Sequence, residues 1–274
     1  MTAAAFTPAS PAPATTRVGS TLGTFSALVV RDLYVTVREL PSFLVQVVLQ
    51  PFFTLFVFGT VLGQLGLVAP SFTRILLPGV VAMTVFITAI QNTALPLVVD
   101  FAATREIEDR LLAPVSTFTV AVEKVVFGAA RGLAAGVIMV PVGFGLLSGV
   151  SWPATALPGA LVIGVLAALT GAALGLLLAT VVSPKYINVM FAASLMPLMF
   201  TGAAQFPFFG LGGLRWFQVV VAINPLTYVS EAMRWLLVPE LRSISIWIDL
   251  PVLVAWFAVL LIAGAAGFRR RATD

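Results

Sequence analysis

The chain has no cysteine and no histidine, and Asp, Glu, Lys and Arg together make up only 9% of its 274 residues. Each absence removes a class of function. Without Cys there are no disulfides, no thiolate metal sites and no cysteine nucleophile. Without His, the usual general base and the commonest metal ligand are missing. No GxxxxGK[ST] run occurs, and no apolar strand leads into a glycine-rich turn able to cradle nucleotide phosphates. Ser183 and Lys185 flank Pro184 and read as a tight turn rather than a hydrolytic dyad. These gaps argue against a membrane enzyme and against ATP binding in the P-loop manner by this chain.

What is present is apolar. Hydrophobic residues make up 60% of the sequence, and the mean hydropathy is +1.08, which describes an integral membrane protein rather than a soluble core. The net charge of +4 is then a matter of membrane topology, with no call for a nucleic-acid partner. Residues 1–20, rich in Ala, Pro, Thr and Ser, lack the basic start and apolar run of a signal peptide and read as a disordered cytoplasmic tail. Over 21–40, Leu22, Phe25, Leu28, Val29, Leu33, Val37 and Leu40 recur at helical spacing, interrupted by Arg31, Asp32, Arg38 and Glu39. That pattern predicts an amphipathic helix lying at the membrane interface.

Six spans are predicted in an all-α domain over 41–268: residues 42–62, with a kink at Pro51; 75–99; 125–147; 157–182; 187–204; and 250–267. The basic run Arg269, Arg270, Arg271 opens a cytoplasmic C-terminus, 269–274. Arg131 falls in the early turns of the third span, from where it could snorkel to the nearer interface. Gln46, Gln50, Gln91 and Asn92 are candidate pathway residues, because polar side chains at membrane depth face the protein interior. Glycines four apart, at Gly59 and Gly63, at Gly128, Gly132 and Gly136, and at Gly171 and Gly175, permit close helix approach.

Between the second and third spans, residues 100–124 hold Asp100, Arg105, Glu106, Glu108, Asp109, Arg110, Glu123 and Lys124. Arg105 with Asp109, and Glu106 with Arg110, are i,i+4 pairs of opposite sign that support a short surface helix, closed by Leu111, Leu112 and Pro114. This stretch reads either as a solvated loop or as a surface gripped by a partner. With six spans, ten Lys and Arg lie on the side of the termini and four, Arg74, Arg215, Arg234 and Arg242, on the other. The positive-inside rule therefore puts both termini in the cytoplasm. Trp152, Trp216, Trp235 and Trp247 then fall at the outer boundary, where indole rings favour the interface.

Residues 205–249 are apolar but broken by Pro207, Gly210, Gly212, Gly213, Pro225 and Pro239, so one or two short re-entrant or interfacial helices are expected within about 206–240. Asn224 as N-cap, Pro225 at the first helical position and Pro239 as a stop bound a helix of about 13 residues. Its apolar face is Leu226, Val229, Met233 and Leu236 or Leu237; Glu231 and Arg234 stand three apart as a local ion pair. It is either an ordinary interfacial helix or one that closes the outer end of a pathway.

The run NPLTYVSEAMRWLL, with Asn224, Pro225, Tyr228, Glu231 and Arg234, together with the acidic stretch leading into Leu111, Leu112, Ala113, Pro114 and Val115, resembles the permease subunit of ABC exporters of the type-2 class. That class includes permeases similar to daunorubicin-resistance exporters and those that move polysaccharides. The likeness extends from Thr21 to Arg271. It implies a multi-pass protein of a bacterial inner membrane that dimerises and docks separate cytosolic ATP-binding subunits, which carry the ATP and Mg; no cofactor is bound by this chain. Residues 104–112 would be the coupling helix, with Arg105, Glu106, Glu108, Asp109, Arg110 and Leu111 as docking residues, and the 21–40 helix would also touch the ATPase. The implied cargo is a hydrophobic small molecule, drug or lipid, with a lipid-linked glycan as the alternative. A self-contained channel or ion-driven carrier would need ionisable groups deep in the spans, and only Arg131 approaches that.

Overall fold

The computed structural model describes residues 40–69, 71–100, 117–182 and 184–273. Among these the chain is mainly helical, with no strand. Helix α1 (Leu40–Leu55) runs on through a π-helical stretch, Phe56–Val61, and a last turn, Leu62–Gln64. It is followed by α2 (Phe72–Val99), α3 (Thr117–Leu146), α4 (Leu157–Val181), α5 (Ile187–Thr201), α6 (Arg215–Ile223), α7 (Pro225–Leu237) and α8 (Ile246–Thr273). Five segments are long and apolar enough to cross a bilayer: Pro41–Gln64, Phe72–Val99, Phe118–Leu146, Ala154–Val181 and Ile246–Arg271.

Helix α2 is the axis of the bundle. It packs on α3, α4 and α7, and 83% of its membrane window is buried. The approach is close because glycine lines both flanks. A Cβ on Gly132 of α3 would lie 2.6 Å from the Val85 carbonyl; on Gly171 and Gly175 of α4 it would lie 2.5 Å from the carbonyls of Phe86 and Ile90. In lipid there is little hydrophobic drive between helices, so backbone contact of this kind supplies the packing energy. Two of the predicted glycine runs therefore act within the protomer; Gly63, by contrast, has no neighbour within 4 Å of an added Cβ.

Several boundaries differ from the sequence reading. The third helix starts at Thr117, not near residue 125, so Glu123 and Lys124 sit inside α3 and are buried rather than exposed in a loop. The apolar neighbours Val120, Ala121 and Val125 pull that turn into the core. Arg131 consequently lies halfway along α3 instead of in its early turns. In α1 the irregularity is the π stretch at Phe56–Val61, beyond Pro51. Helix α5 has 15 residues and ends at Gly202, about 22 Å at 1.5 Å per residue, short of a bilayer core of about 30 Å. Helix α8 extends past the predicted 250–267 at both ends, taking in Asp249 and the three arginines. The 1–20 tail and all of the 21–40 helix except Leu40 fall outside the described residues.

Candidate functional site

The predicted outer helix has the bounds its caps imply. Asn224 is extended (φ −80°, ψ 123°) and its Oδ1 accepts the Leu226 N–H, Pro225 opens α7, and the helix stops at Leu237, two residues before Pro239. Its apolar face is Leu226, Val229, Met233 and Leu237, all buried, while Leu236 is only partly so. The polar residues of α7 are also inside. Glu231 and Arg234 form an ion pair at 2.9 Å with neither side chain exposed.

Arg234 does more than pair locally. Its Nε donates to the Ile75 carbonyl at the start of α2 (3.1 Å), Nη1 to Glu231 Oε1 (2.9 Å), and Nη2 to the Ala204 carbonyl (2.7 Å). Glu231 in turn accepts the backbone N–H of Phe208 on Oε1 (3.1 Å) and of Ile244 on Oε2 (3.2 Å). The carbonyl taken by Arg234 follows Ala203, whose φ of 51° is unusual for a residue with a Cβ. Ser230 Oγ donates to the Gly202 carbonyl, and Asn224 Nδ2 to the Leu198 carbonyl and Thr201 Oγ1. Tyr228 donates its phenol proton to the Ala222 carbonyl at 2.6 Å. One helix thus binds the end of α5, the start of α2, the 205–211 turn and the lead into α8. Spacing alone revealed the pair; its reach to Ile75, 159 positions away, has no signal in sequence.

Asp249, in the first turn of α8, is fully buried near Glu231. Neither of its carboxylate oxygens has a hydrogen-bond partner among the described residues. Its place in the sequence marked a span boundary and gave no hint of burial.

The four pathway candidates separate into two groups. Asn92 is buried and committed to structure: its Nδ2 donates to the Thr88 carbonyl and its Oδ1 accepts Arg131 Nη1 at 2.9 Å. Arg131 does not snorkel. Its guanidinium lies over the rings of Phe43 (5.5 Å) and Phe127 (5.1 Å), joining α1, α2 and α3. A lone cation in a long apolar run is the sequence feature that could have announced such a clamp. Gln91 is half-buried. Gln46 and Gln50 are exposed and share, with Val45, Leu49, Phe53 and Thr54, an open groove of about 550 Å³ along α1. Gln50 Nε2 reaches Met199 Sδ of α5 at 3.4 Å.

Arg105, Glu106, Glu108, Asp109, Arg110 and Leu111 lie outside the described residues. Their flanks are joined: Lys124 Nζ of α3 is 3.5 Å from Asp100 Oδ2 at the end of α2. At the same end of the bundle in sequence order, Arg271 Nη1 donates to the Ala179 and Val182 carbonyls, satisfying the last turn of α4.

Helical segments that can cross a bilayer five times, folded around one buried axis, define a multi-pass membrane protein. The family model for ABC-2 type transporters matches residues 23–238, most of the chain, and the protein belongs to that family: it is an ABC transporter membrane component, a permease domain rather than a catalytic ATPase. No curated protein gives a significant match.

Proposed function

We propose that the chain is the permease subunit of an ATP-driven exporter, working as a dimer with separate cytosolic ATP-binding subunits and moving a hydrophobic small molecule, drug or lipid across a bacterial inner membrane. The observation that carries this reading is membership of the ABC-2 family over residues 23–238, in a chain without a P-loop of its own. Nucleotide chemistry then belongs to another subunit, and ATP and Mg bind there. Helix α5, lengthened by about 6 Å by the 3-10 turn Pro184–Tyr186 that leads into it, serves as a sixth crossing, with α6 and α7 as short helices at the outer end, which keeps both termini on the cytoplasmic side in line with the ten-to-four distribution of Lys and Arg. The exposed stripe of Gln46 and Gln50 on α1 supports both the dimer and the pathway, since amides facing lipid are costly unless a second chain or water covers them.

In this reading residues 104–112, between α2 and α3 in sequence, form the coupling helix. ATP-driven closure of the partner subunits turns it and shifts the bundle between two states, and each state must contact the partner differently for energy to pass between the sites. The test is co-expression with a P-loop ATPase from a neighbouring reading frame, comparing wild type with the Glu106→Lys, Glu108→Lys double variant. Wild type is expected to carry the ATPase through purification and to raise its ATP turnover, and the charge reversal to shed it. Absence of co-elution under every condition, or a reversal without effect, would sink the docking assignment and return the self-contained carrier to consideration.

A further inference from the structure

Two cavities lie back to back behind Trp152, where α2 begins and α7 ends. One, of about 270 Å³, is lined by Arg74, Ser151, Trp152 and Glu240 among others. The second, of about 150 Å³, is an apolar slot between α3, α4 and α7, with Val137, Leu161 and Met233 in its walls. Trp152 and Leu237 border both. Neither cavity shares a residue with the α1 groove. Val137 and Leu161 are more than half exposed, so the slot opens sideways toward where acyl chains would lie.

Trp152 is the wall between the two cavities, and the two charged side chains of the polar one are incompletely paired among the described residues. The Trp152 ring is held edge-on by Phe144, centroids 5.0 Å apart, and its buried Nε1 has no hydrogen-bond partner among the described residues. Among the described residues Arg74 bonds through Nε alone, donating to the Gly149 carbonyl at 3.1 Å, which leaves its terminal amino groups for other acceptors. Glu240 lines the same cavity, yet among the described residues no ion pair joins it to Arg74. A cation and an anion held apart beside an adjoining apolar slot are complementary to an amphiphile whose head carries both an anionic and an ammonium group.

We propose that this is a binding site for a zwitterionic phospholipid, with its phosphate against Arg74, its ammonium against Glu240 and a short stretch of acyl chain in the slot beside Trp152. Glu240 supplies the selectivity: an anionic lipid without an ammonium would set a phosphate beside an unanswered carboxylate. In the topology proposed above the site faces the outer leaflet, lateral to the α1 groove.

The full-length chain, purified without any ATPase, would be equilibrated with micelles holding equal phosphatidylethanolamine and phosphatidylglycerol, and retained lipid counted by native mass spectrometry. Phosphatidylethanolamine is expected to be retained in preference. Glu240→Gln should reduce that preference by roughly five- to tenfold, the scale of one net hydrogen bond, Arg74→Gln should weaken retention of both lipids, and Ala160→Phe should block the slot. Arg74 and Glu240 are exposed, so their variants keep the fold, which a melting curve checks. Glycerophosphoethanolamine, the head without tails, should not displace the lipid. Equal retention of both lipids by wild type, a preference untouched by both charge variants, or displacement by the tail-less head would overturn the proposal. Because no ATPase takes part, failure here leaves the exporter reading standing, and loss of that reading leaves this one.

Discussion

Two polar regions of an apolar chain are built on opposite terms. In α7, Glu231 and Arg234 are wholly buried and each oxygen or nitrogen that matters meets a donor or acceptor of the same chain. On α1, Gln46 and Gln50 are exposed along a helix whose membrane window is only 22% buried. The first region is finished within one protomer, and its polarity specifies how α2, α5, α7 and α8 meet. The second is polar without being satisfied, which is how a surface looks when its partners come from outside the chain. Polarity at membrane depth therefore signals function only where the protein has not already answered it.

The largest effect expected from breaking this contrast comes at Arg234. Arg234→Met leaves Glu231 buried with a charge and strands the Ile75 and Ala204 carbonyls; a loss of about 3–5 kcal/mol is expected, read as a drop in melting temperature or failure to purify as a single species. Pairing it with Glu231→Met should recover part of the loss, because the uncompensated charge goes, but not all, because the Phe208 and Ile244 N–H groups lose their acceptor. A variant that melts like wild type would show that α7 is held by its apolar face alone.

A smaller effect sharpens the comparison at the helix contacts. Gly171→Val would push a side chain into the Phe86 carbonyl at the α2 and α4 seam, with a loss of about 1–3 kcal/mol. Gly63→Ala, where nothing lies within 4 Å, should stay within about 0.5 kcal/mol of wild type. Equal effects at both sites would mean that the glycines report composition rather than close packing. Melting curves in one detergent, measured side by side, separate the two outcomes.

The legible parts of this molecule were those set by local chemistry. Asn224, Pro225 and Pro239 announced α7 to within two residues because capping and proline act within a few positions. Long apolar runs announced α2, α3, α4 and α8. What escaped depended on the third dimension. The early start of α3 was hidden because Glu123 and Lys124 look like loop residues, yet their apolar neighbours and the Asp100 partner bring them inside. Asn92 and Gln46 are both polar residues in apolar runs, and only packing shows that one is bound to Arg131 while the other is exposed. The 15-residue length of α5 followed from the turn at Gly202 to Ala204, which is fixed from a distance by Ser230 and Arg234.

The smallest effect on stability should fall where the largest effect on transport does. Replacing Gln46 and Gln50 together by Leu removes two amides that touch little of their own protomer; the one contact given up, Gln50 to Met199 Sδ at 3.4 Å, is a weak acceptor pair. Melting temperature should therefore change by less than about 0.5 kcal/mol of equivalent stability. If the α1 groove is covered by a second copy or by water along a pathway, the same change should lower dimer recovery or uncouple ATP turnover from cargo added to proteoliposomes. A fall in stability with transport intact would reverse the contrast, making the stripe part of the protomer's own packing, and would shift the search for the pathway to Gln91 on α2.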